Sequence, residues 1–329
     1  MAEHHRHMKA VLFDKPGHAD VLRIDPHVPI PKPGPGQLLV RVHAVGLNKV
    51  EVFIREGMIP FPGPVILGTD GAGVVEEVTH GVSDFRKGDR VAIYSRAPSM
   101  TGTYAEYFVA SPDMLFHLPE NMTFHQGAGL GTPFMTAYSN IVIHGAVKFG
   151  DIVLINGASG GVGLFAIEIA NALGCKVIGV AGHETGLSLI SQKGAIAISY
   201  KDPDFVKKVK VAAGPKGVDF ILETTAKNVP KDIEILGKFG RVCLIGAPSH
   251  ETVDFDMVLM KELTIKGTQA TSVTPEQYRI MKAGLDKALE EGSINPIVEK
   301  VYTIDQIAQA HNDLMAPRST AGKLILDLS

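Results

Sequence analysis

The chain has few cysteines, no long apolar run and no excess of charge of either sign. Only 2 of its 329 residues are cysteines, Cys175 and Cys243, which excludes a disulfide framework and a cysteine-rich zinc site. Both lie in apolar, strand-like segments, where cysteine is typically a small buried residue in a reducing compartment. Because no run of about 18 apolar residues and no secretory leader is recognisable, we expect a cytoplasmic protein without a transmembrane helix.

The charges are nearly balanced. The 32 basic and 35 acidic side chains leave a formal net charge of −3, so neither nucleic acid nor an anionic membrane surface is an expected partner. With 45% hydrophobic and 20% charged residues the chain is not disordered, and at about 150 residues per domain its length predicts two domains. A cluster of His4, His5 and His7 precedes Met8, and we interpret it as a leader outside the fold rather than a metal site.

The first part of the chain, from Met8 to about His125, is predicted to be rich in β-structure. Its apolar residues mostly alternate with polar ones, which is typical of half-buried strands. Prolines at every second position from Pro29 to Pro35 predict a stiff loop that cannot join a sheet. The predicted strands are Lys9–Phe13, Leu38–Val45, Gly71–Val78 and Arg90–Tyr94.

From Asp151 onward, apolar strands alternate with helices, which predicts a doubly wound parallel sheet. One of the helices is expected to begin at Pro203, with Asp202 as its N-cap. The six predicted strands are Ile152–Asn156, Val177–Ala181, Ala195–Ser199, Val218–Leu222, Arg241–Ile245 and Leu263–Gly267.

The C-terminal elements are too few to form a domain of their own. Predicted helices near Pro275–Glu291 and Ile304–Met315 alternate with strands at Val298–Tyr302 and Lys323–Asp327. We therefore expect the C-terminus to return to the first domain, with the α/β region as an insert.

A glycine-rich turn joins the first strand of the α/β region to its first helix. In Asn156–Gly163, Gly160 and Gly163 allow a phosphate to approach the helix N-terminus and the helix to pack closely on the strand. Ala158 occupies the place of the usual first glycine. Because the turn follows a predicted strand and opens a predicted helix, it predicts a dinucleotide site.

The end of the second strand of this region favours NADPH over NADH. An acidic residue there would accept hydrogen bonds from the ribose 2′-hydroxyl and repel a 2′-phosphate, but the strand ends in Ala181, Gly182 and His183. Glu184 follows directly and leaves NADH as an alternative.

Six segments stand out along the chain: Ala44–Asn48, Gly68–Glu76, Lys87–Val91, Thr136–Tyr138, the glycine turn and Ala321–Leu324. In this order they resemble the medium-chain dehydrogenase/reductase superfamily, in particular its zinc-free quinone oxidoreductase, or zeta-crystallin-like, branch. The resemblance implies an α/β fold with a GroES-like β-rich catalytic domain at residues 1–124 and 268–329. A Rossmann dinucleotide-binding domain is implied at residues 125–267. It also implies a homodimer, for which the outer strand at Leu263–Gly267 is a candidate pairing edge.

Compared with the zinc alcohol dehydrogenases of the superfamily, this chain lacks the zinc ligands. Asn48 stands in place of a cysteine, and Thr69 and Asp70 stand in place of a His-Glu pair. We therefore predict no catalytic or structural zinc. Neither Asn48 nor its sequence neighbours replace the positive charge of the metal, which disfavours alcohol oxidation and favours reduction of an electron-poor acceptor.

The resemblance implies roles for individual residues. Asn48 is the expected catalytic amide, and Phe53 stands where relatives commonly have Tyr, so it can pack against a planar substrate but cannot donate a hydrogen bond. His183 is expected to fill in part the role of a lysine that some relatives have near the 2′-phosphate. The expected cofactor-binding residues are Thr136, Ala158, Ser159, Gly160, Gly161, Val162, Gly163, Gly182, His183, Tyr200, Ile245, Gly246, Ala247 and Arg318.

The expected function is therefore an NADPH-dependent, zinc-free oxidoreductase that transfers hydride to quinones or related activated carbonyl compounds. Two alternatives remain open at this point. One is an enoyl or alkenal double-bond reductase of the same superfamily. The other is a catalytically silent, crystallin-like NADPH-binding protein with a structural or RNA-binding role.

Overall fold

A computed structural model of the chain describes residues 6–96, 101–246, 250–269, 271–316 and 321–329. Single-turn 3₁₀ or π-helical segments occur at Ala19–Val21, Pro112–Met114, Ser139–His144 and Ile304–Gln306. The strands are β1 (His7–Phe13), β2 (Arg23–Pro29), β3 (Leu38–Gly46), β4 (Val65–Ile66), β5 (Asp70–Val78), β6 (Arg90–Tyr94), β7 (Tyr107–Ala110), β8 (Leu115–His117), β9 (Ile152–Asn156), β10 (Lys176–Ala181), β11 (Ile196–Ser199), β12 (Val218–Glu223), β13 (Leu236–Leu244), β14 (Thr264–Gly267), β15 (Val298–Thr303) and β16 (Lys323–Asp327). The α-helices are α1 (Lys49–Arg55), α2 (Phe124–Ala128), α3 (Gly131–Tyr138), α4 (Gly161–Ala172), α5 (Glu184–Gln192), α6 (Phe205–Ala213), α7 (Val229–Ile235), α8 (Phe255–Lys261), α9 (Pro275–Glu290) and α10 (Ile307–Met315).

The chain forms two compact units. Unit 1 comprises Met1–Thr132, Asp286–Arg318 and Lys323–Ser329, and unit 2 comprises Pro133–Leu285 and Ser319–Gly322. The predicted domain boundaries, after residues 124 and 267, fall at other positions. The assignment of a catalytic and a cofactor domain with those boundaries remains a prediction.

Unit 1 is built on two mainly antiparallel sheets. The larger has the order β15-β16-β3-β5-β6-β8, and β7 also pairs with β3. The last strand, β16, pairs antiparallel with β3, with Leu326 opposite Val45. Apolar residues that alternate along the strands, such as Val40, Ile93 and Leu326, are fully buried and form the core of the unit.

The N-terminal strand corrects two expectations. β1 begins at His7, whose partner across the antiparallel ladder is Pro29. His7 is therefore part of the fold rather than of a leader, and the prediction that Pro29 lies in a loop was wrong. A proline is tolerated there because β2 is the outer strand of the small sheet β2-β1-β4, where a missing N–H breaks no ladder hydrogen bond.

Unit 2 contains a six-stranded parallel sheet. Its order is β11-β10-β9-β12-β13-β14, so the third, second and first strands of the unit are followed by the fourth, fifth and sixth. This confirms the predicted doubly wound sheet. Leu154, Ile178, Ile221 and Val242 from four neighbouring strands are buried in its core.

Two local predictions in unit 2 were wrong. Helix α6 begins at Phe205, with Asp204 as its N-cap, because the Asp202 carboxylate accepts the backbone N–H of Asp204 at 2.9 Å and stabilises a turn before the helix. Cys175 lies between α4 and β10 and is only half-buried, whereas Cys243 is buried in β13 as expected. In the part of the chain that the structure describes, no helix is both long enough and apolar enough to cross a bilayer.

Candidate active site

The glycine-rich turn of unit 2 connects β9 to α4. The backbone N–H of Ala158 donates to the Val180 carbonyl at 2.9 Å, which ties the turn to β10. A Cβ atom at Gly163 would lie only 2.5 Å from both the Ala158 Cα and the Gly157 carbonyl oxygen. Only glycine permits this close approach of helix and turn.

The N-terminus of α4 offers backbone donors to an anion. Gly160 is the N-cap and supplies no side-chain cap, and the first helical turn contains no acidic residue. The N–H groups of Gly161, Val162 and Gly163 have no intrahelical acceptor, as in any first turn of an α-helix. Together with the positive end of the helix dipole, these donors fit the pyrophosphate of a dinucleotide.

A buried polar network lies under the start of this turn. The side-chain N–H₂ of Asn156 donates to Glu223 Oε2 at 2.6 Å and to Asp232 Oδ1 at 2.9 Å. Burial, and secondarily the Glu223 carboxylate, raises the pKa of Asp232 well above its usual range. This network was not predicted from the sequence, although polar residues at the ends of the apolar strands β9 and β12 were a visible signal.

The carboxyl end of β10 carries the predicted 2′-phosphate region. A Cβ atom at Gly182 would lie 2.2 Å from the Tyr200 ring, so these two predicted residues are in close proximity. His183 is the N-cap of α5, and its Nδ1 accepts the Gly186 N–H at 3.3 Å. In the neutral ring Nε2 therefore carries the proton and is the donor that remains for a ligand.

The other predicted cofactor residues are distributed over unit 2. The Ile245 N–H donates to the Glu223 carbonyl at 3.0 Å, just after β13. A Cβ atom at Gly246 would lie 2.5 Å from the Thr225 backbone. Thr136 is buried in α3, and the Ser159 carbonyl accepts the Gly322 N–H at 2.9 Å. Two further predicted residues, Ala247 and Arg318, lie outside the described residues.

In unit 1, Asn48 is the N-cap of α1 and is buried in a polar cluster. Its side-chain N–H₂ donates to Asp70 Oδ2 at 2.9 Å, to Thr69 Oγ1 at 3.0 Å and, more weakly, to the Gly46 carbonyl at 3.3 Å. Phe53, on the same helix, is half-buried. The three residues that the sequence analysis compared with zinc ligands, Asn48, Thr69 and Asp70, are thus joined by direct hydrogen bonds.

Two carboxyl groups of this cluster are fully buried. Asp70 Oδ1 accepts both the N–H and the hydroxyl of Thr132, at 2.8 and 2.7 Å. Glu51 accepts the Asn48 backbone N–H at 2.7 Å and the Thr69 backbone N–H at 3.0 Å. Burial raises the pKa of each carboxyl, and the hydrogen bonds and a nearby ammonium oppose that rise.

The ammonium belongs to Lys323, the first residue of β16. Its Nζ donates to Asn48 Oδ1 and lies 3.6 Å from Asp70 Oδ2. The sequence neighbours of Asn48 were not expected to replace the charge of a metal, and the positive charge beside Asn48 comes instead from this distant residue. Sequence reasoning missed Lys323 because 275 residues separate it from Asn48.

A chain of buried hydrogen-bonded side chains leads from Glu51 through Tyr104 to His311. The Tyr104 hydroxyl donates to Glu51 Oε2 at 2.7 Å and lies 3.0 Å from His311 Nε2. Since the hydroxyl proton is used by Glu51, Nε2 of the neutral imidazole donates to the Tyr104 oxygen. Within the described part of the chain Nδ1 of His311 has no hydrogen-bond partner, and burial lowers the pKa of the imidazole to about 3.

Among the described residues, no three His, Cys, Asp or Glu side chains come together in a way that could hold a metal ion. Zinc independence itself stays a prediction.

Comparison with known proteins places these features in a family. The family profile "Alcohol dehydrogenase GroES-like domain" matches residues 34–120, and "Zinc-binding dehydrogenase" matches residues 161–285. The quinone oxidoreductase of Sus scrofa is 39% identical over 99% of both chains. Two examples among the solved structures match this chain over almost their whole length.

One is described as an NAD-dependent alcohol dehydrogenase, with a TM-score of 0.89 and 31% identity, and the match covers 98% of this chain and 100% of that one. The other is the Escherichia coli quinone oxidoreductase complexed with NADPH, with a TM-score of 0.85, 27% identity and 97% and 99% coverage. The predicted fold class, a GroES-like domain with a Rossmann-like parallel sheet, is thereby confirmed.

Proposed function

Because the chain belongs to the medium-chain dehydrogenase/reductase superfamily, in its quinone oxidoreductase branch, we propose that it reduces quinones or related activated carbonyl compounds with NADPH and without zinc. The observation that carries the proposal is the N-terminus of α4, whose backbone donors have neither a side-chain cap nor an acidic neighbour in the first turn. When bound there, the cofactor supplies hydride.

Unit 1 is proposed to contribute the hydrogen-bond donor that stabilises negative charge on the acceptor. Reduction places negative charge on the acceptor's oxygen, and a hydrogen-bond donor in a dry site stabilises that charge strongly. We assign this role to the side-chain N–H₂ of Asn48. Its hydrogens are held by Asp70 and Thr69 and more weakly by the Gly46 carbonyl at 3.3 Å, so the acceptor oxygen is proposed to take the place of the Gly46 carbonyl. Phe53 offers a ring for a planar substrate, and solvent supplies the final proton.

The experiment that tests this function is an NADPH-oxidation screen across quinones, enones, saturated aldehydes and alcohols, with and without a metal chelator. We expect turnover with quinones or enones that the chelator does not change. A preference for enones over quinones would identify a double-bond reductase. Chelator-sensitive turnover would contradict zinc independence, and no turnover with any acceptor would favour a silent NADPH-binding protein.

His183 is predicted to favour NADPH over NADH. Ala181 and Gly182 leave no carboxylate at the end of β10, and the Nε2–H of His183 is the donor proposed for the 2′-phosphate. In the variant His183→Asn we expect the Kd for NADPH to rise about 10-fold, the effect of losing one charge-assisted hydrogen bond, while the Kd for NADH changes little.

Asparagine is chosen because it retains an N-cap for α5, so that the substitution removes the imidazole without weakening the start of the helix. Fluorescence titration of both cofactors measures the two affinities. An unchanged ratio of the two Kd values would show that His183 has no part in cofactor choice.

A homodimer through the edge of the unit 2 sheet is also proposed. β14 is the outer strand and is exposed along its length, and Phe255, Leu259 and Met260 of the neighbouring helix α8 expose their apolar side chains. We expect sedimentation as a dimer, and Leu259→Glu to shift the protein to the monomer. A monomeric wild-type protein at micromolar concentration would overturn this proposal. A cytoplasmic location remains a prediction.

A further inference from the structure

Lys323 is the feature of unit 1 that the proposed function leaves unused. Its side chain is only 8% exposed, and its ammonium donates to the carbonyl oxygen of the Asn48 side chain. A buried ammonium costs free energy unless hydrogen bonds and opposite charges compensate it.

The charged groups that face Lys323 come from two elements. Asp70 on β5 is 3.6 Å from the ammonium, and Glu51 on α1 adds a second favourable interaction. Burial lowers the pKa of Lys323, and both carboxylates oppose the decrease. The segments at Gly46 and Gly129 also approach the lysine stem, and neither brings a charge.

The position of the ammonium affects the amide in two ways. With its oxygen held by Lys323, the Asn48 amide has one orientation, in which its N–H₂ donates to Asp70 and Thr69. The Gly46 carbonyl, at 3.3 Å, is then the weakest partner of the N–H₂ and the one that an acceptor oxygen can replace. A cation at an amide oxygen also draws electron density from nitrogen, which makes the N–H bonds stronger donors because hydrogen bonds in a chain polarise one another.

We propose that Lys323 is a positioning residue for the reduction, which orients and polarises the Asn48 amide so that its N–H₂ stabilises negative charge on the acceptor. The proposal rests on the function given above. It assigns to a C-terminal lysine the positive charge that zinc provides in the metal-dependent relatives. Lys323 acts through Asn48, and the chain needs no metal ion for this effect.

The first test is Lys323→Met, which keeps most of the side-chain volume and removes the charge. We expect kcat to fall about 10-fold to 100-fold, toward the effect of losing an oxyanion donor, while the KM for NADPH stays within about twofold. The matched control is Lys300→Met on the adjacent strand β15, where the lysine pairs with Asp313 at the surface. This control should leave kcat and the melting temperature nearly unchanged.

A double variant separates a role in the reaction from mere neutralisation of Asp70. Lys323→Met combined with Asp70→Asn removes both charges, which restores stability if the single variant fails to fold. A low kcat in the folded double variant supports the proposal. Recovery of the wild-type kcat would overturn it, because Lys323 would then serve only to balance Asp70.

The wild-type protein provides a readout that needs no turnover. The ¹⁵N and ¹H resonances of the Asn48 side chain should shift when Lys323 loses its proton at alkaline pH, and kcat should fall over the same range. Resonances that do not move would overturn the proposal. If no acceptor is turned over but the resonances move, the function is wrong while the coupling of Lys323 to Asn48 holds.

Discussion

Replacing Gly163 by alanine is expected to weaken NADPH binding by about 100-fold or more. The new Cβ atom would lie 2.5 Å from backbone atoms of Gly157 and Ala158, so α4 must move away from the turn. The N–H groups at its start would then no longer converge on one anion. Losing two charge-assisted hydrogen bonds of about 1.5 kcal/mol each corresponds to this loss of affinity.

The variant is also expected to lose about 1–3 kcal/mol of stability through overpacking. NADPH binding must therefore be measured at a temperature at which the variant protein is still folded. Gly267→Ala is the matched control in the same unit, because among the described residues no atom beyond its two chain neighbours lies within 4 Å of a Cβ atom there. Since Gly267 ends the proposed pairing strand β14, the oligomeric state of this control is measured as well. Fluorescence titration with NADPH, together with thermal unfolding, gives both quantities. A folded variant with wild-type affinity would show that this turn does not hold the cofactor.

Acid is expected to destabilise the protein through His311. The pKa of the buried imidazole is about 3 in the folded state, below the ordinary value of 6.5, so unfolding takes up a proton between these pH values. The contribution is therefore fully present above pH 6.5 and is lost as pH falls. At about 1.4 kcal/mol per pH unit, the stability lost through His311 amounts to roughly 3 kcal/mol near pH 4.

The variant His311→Gln tests this, because glutamine retains a donor for the Tyr104 oxygen and does not titrate. We expect its free energy of unfolding, measured with denaturant, to vary less with pH than that of the wild type. The difference in slope between pH 3 and 6.5 should correspond to the uptake of about one proton on unfolding. His27→Gln, the same substitution at an exposed histidine, is the control for the effect of the substitution itself. Equal slopes for wild type and His311→Gln would rule out the neutral buried imidazole.

The polar cluster around Asn48 occupies the positions that were compared with the zinc ligands of the metal-dependent relatives. The side chains at the corresponding positions, Asn48, Thr69 and Asp70, are hydrogen-bonded to one another. Lys323 places a fixed positive charge against two of them. Under the proposed function, such a charge suits an acceptor that is already electron-poor, since no proton has to be removed from an alcohol.

The sequence was sufficient for features that depend on neighbouring residues. The turn from Asn156 to Gly163 was predictable because a strand, a glycine-rich turn and a helix follow one another directly. The order of apolar strands likewise predicted the parallel sheet. Predictions failed where a weak local preference had a competitor, as at Asp202, whose carboxylate stabilises a turn before α6.

The tertiary structure alone decided which distant residues share one site. Lys323 meets Asn48 across 275 residues because β16 pairs with β3, the strand that directly precedes Asn48. Likewise, Asp232 reaches Asn156 across 76 residues because β12 pairs with β9 in the sheet. Composition and periodicity determine which segments are strands and which side of each is apolar, whereas the partners of buried charges depend on strand pairing over long distances, which no local pattern encodes.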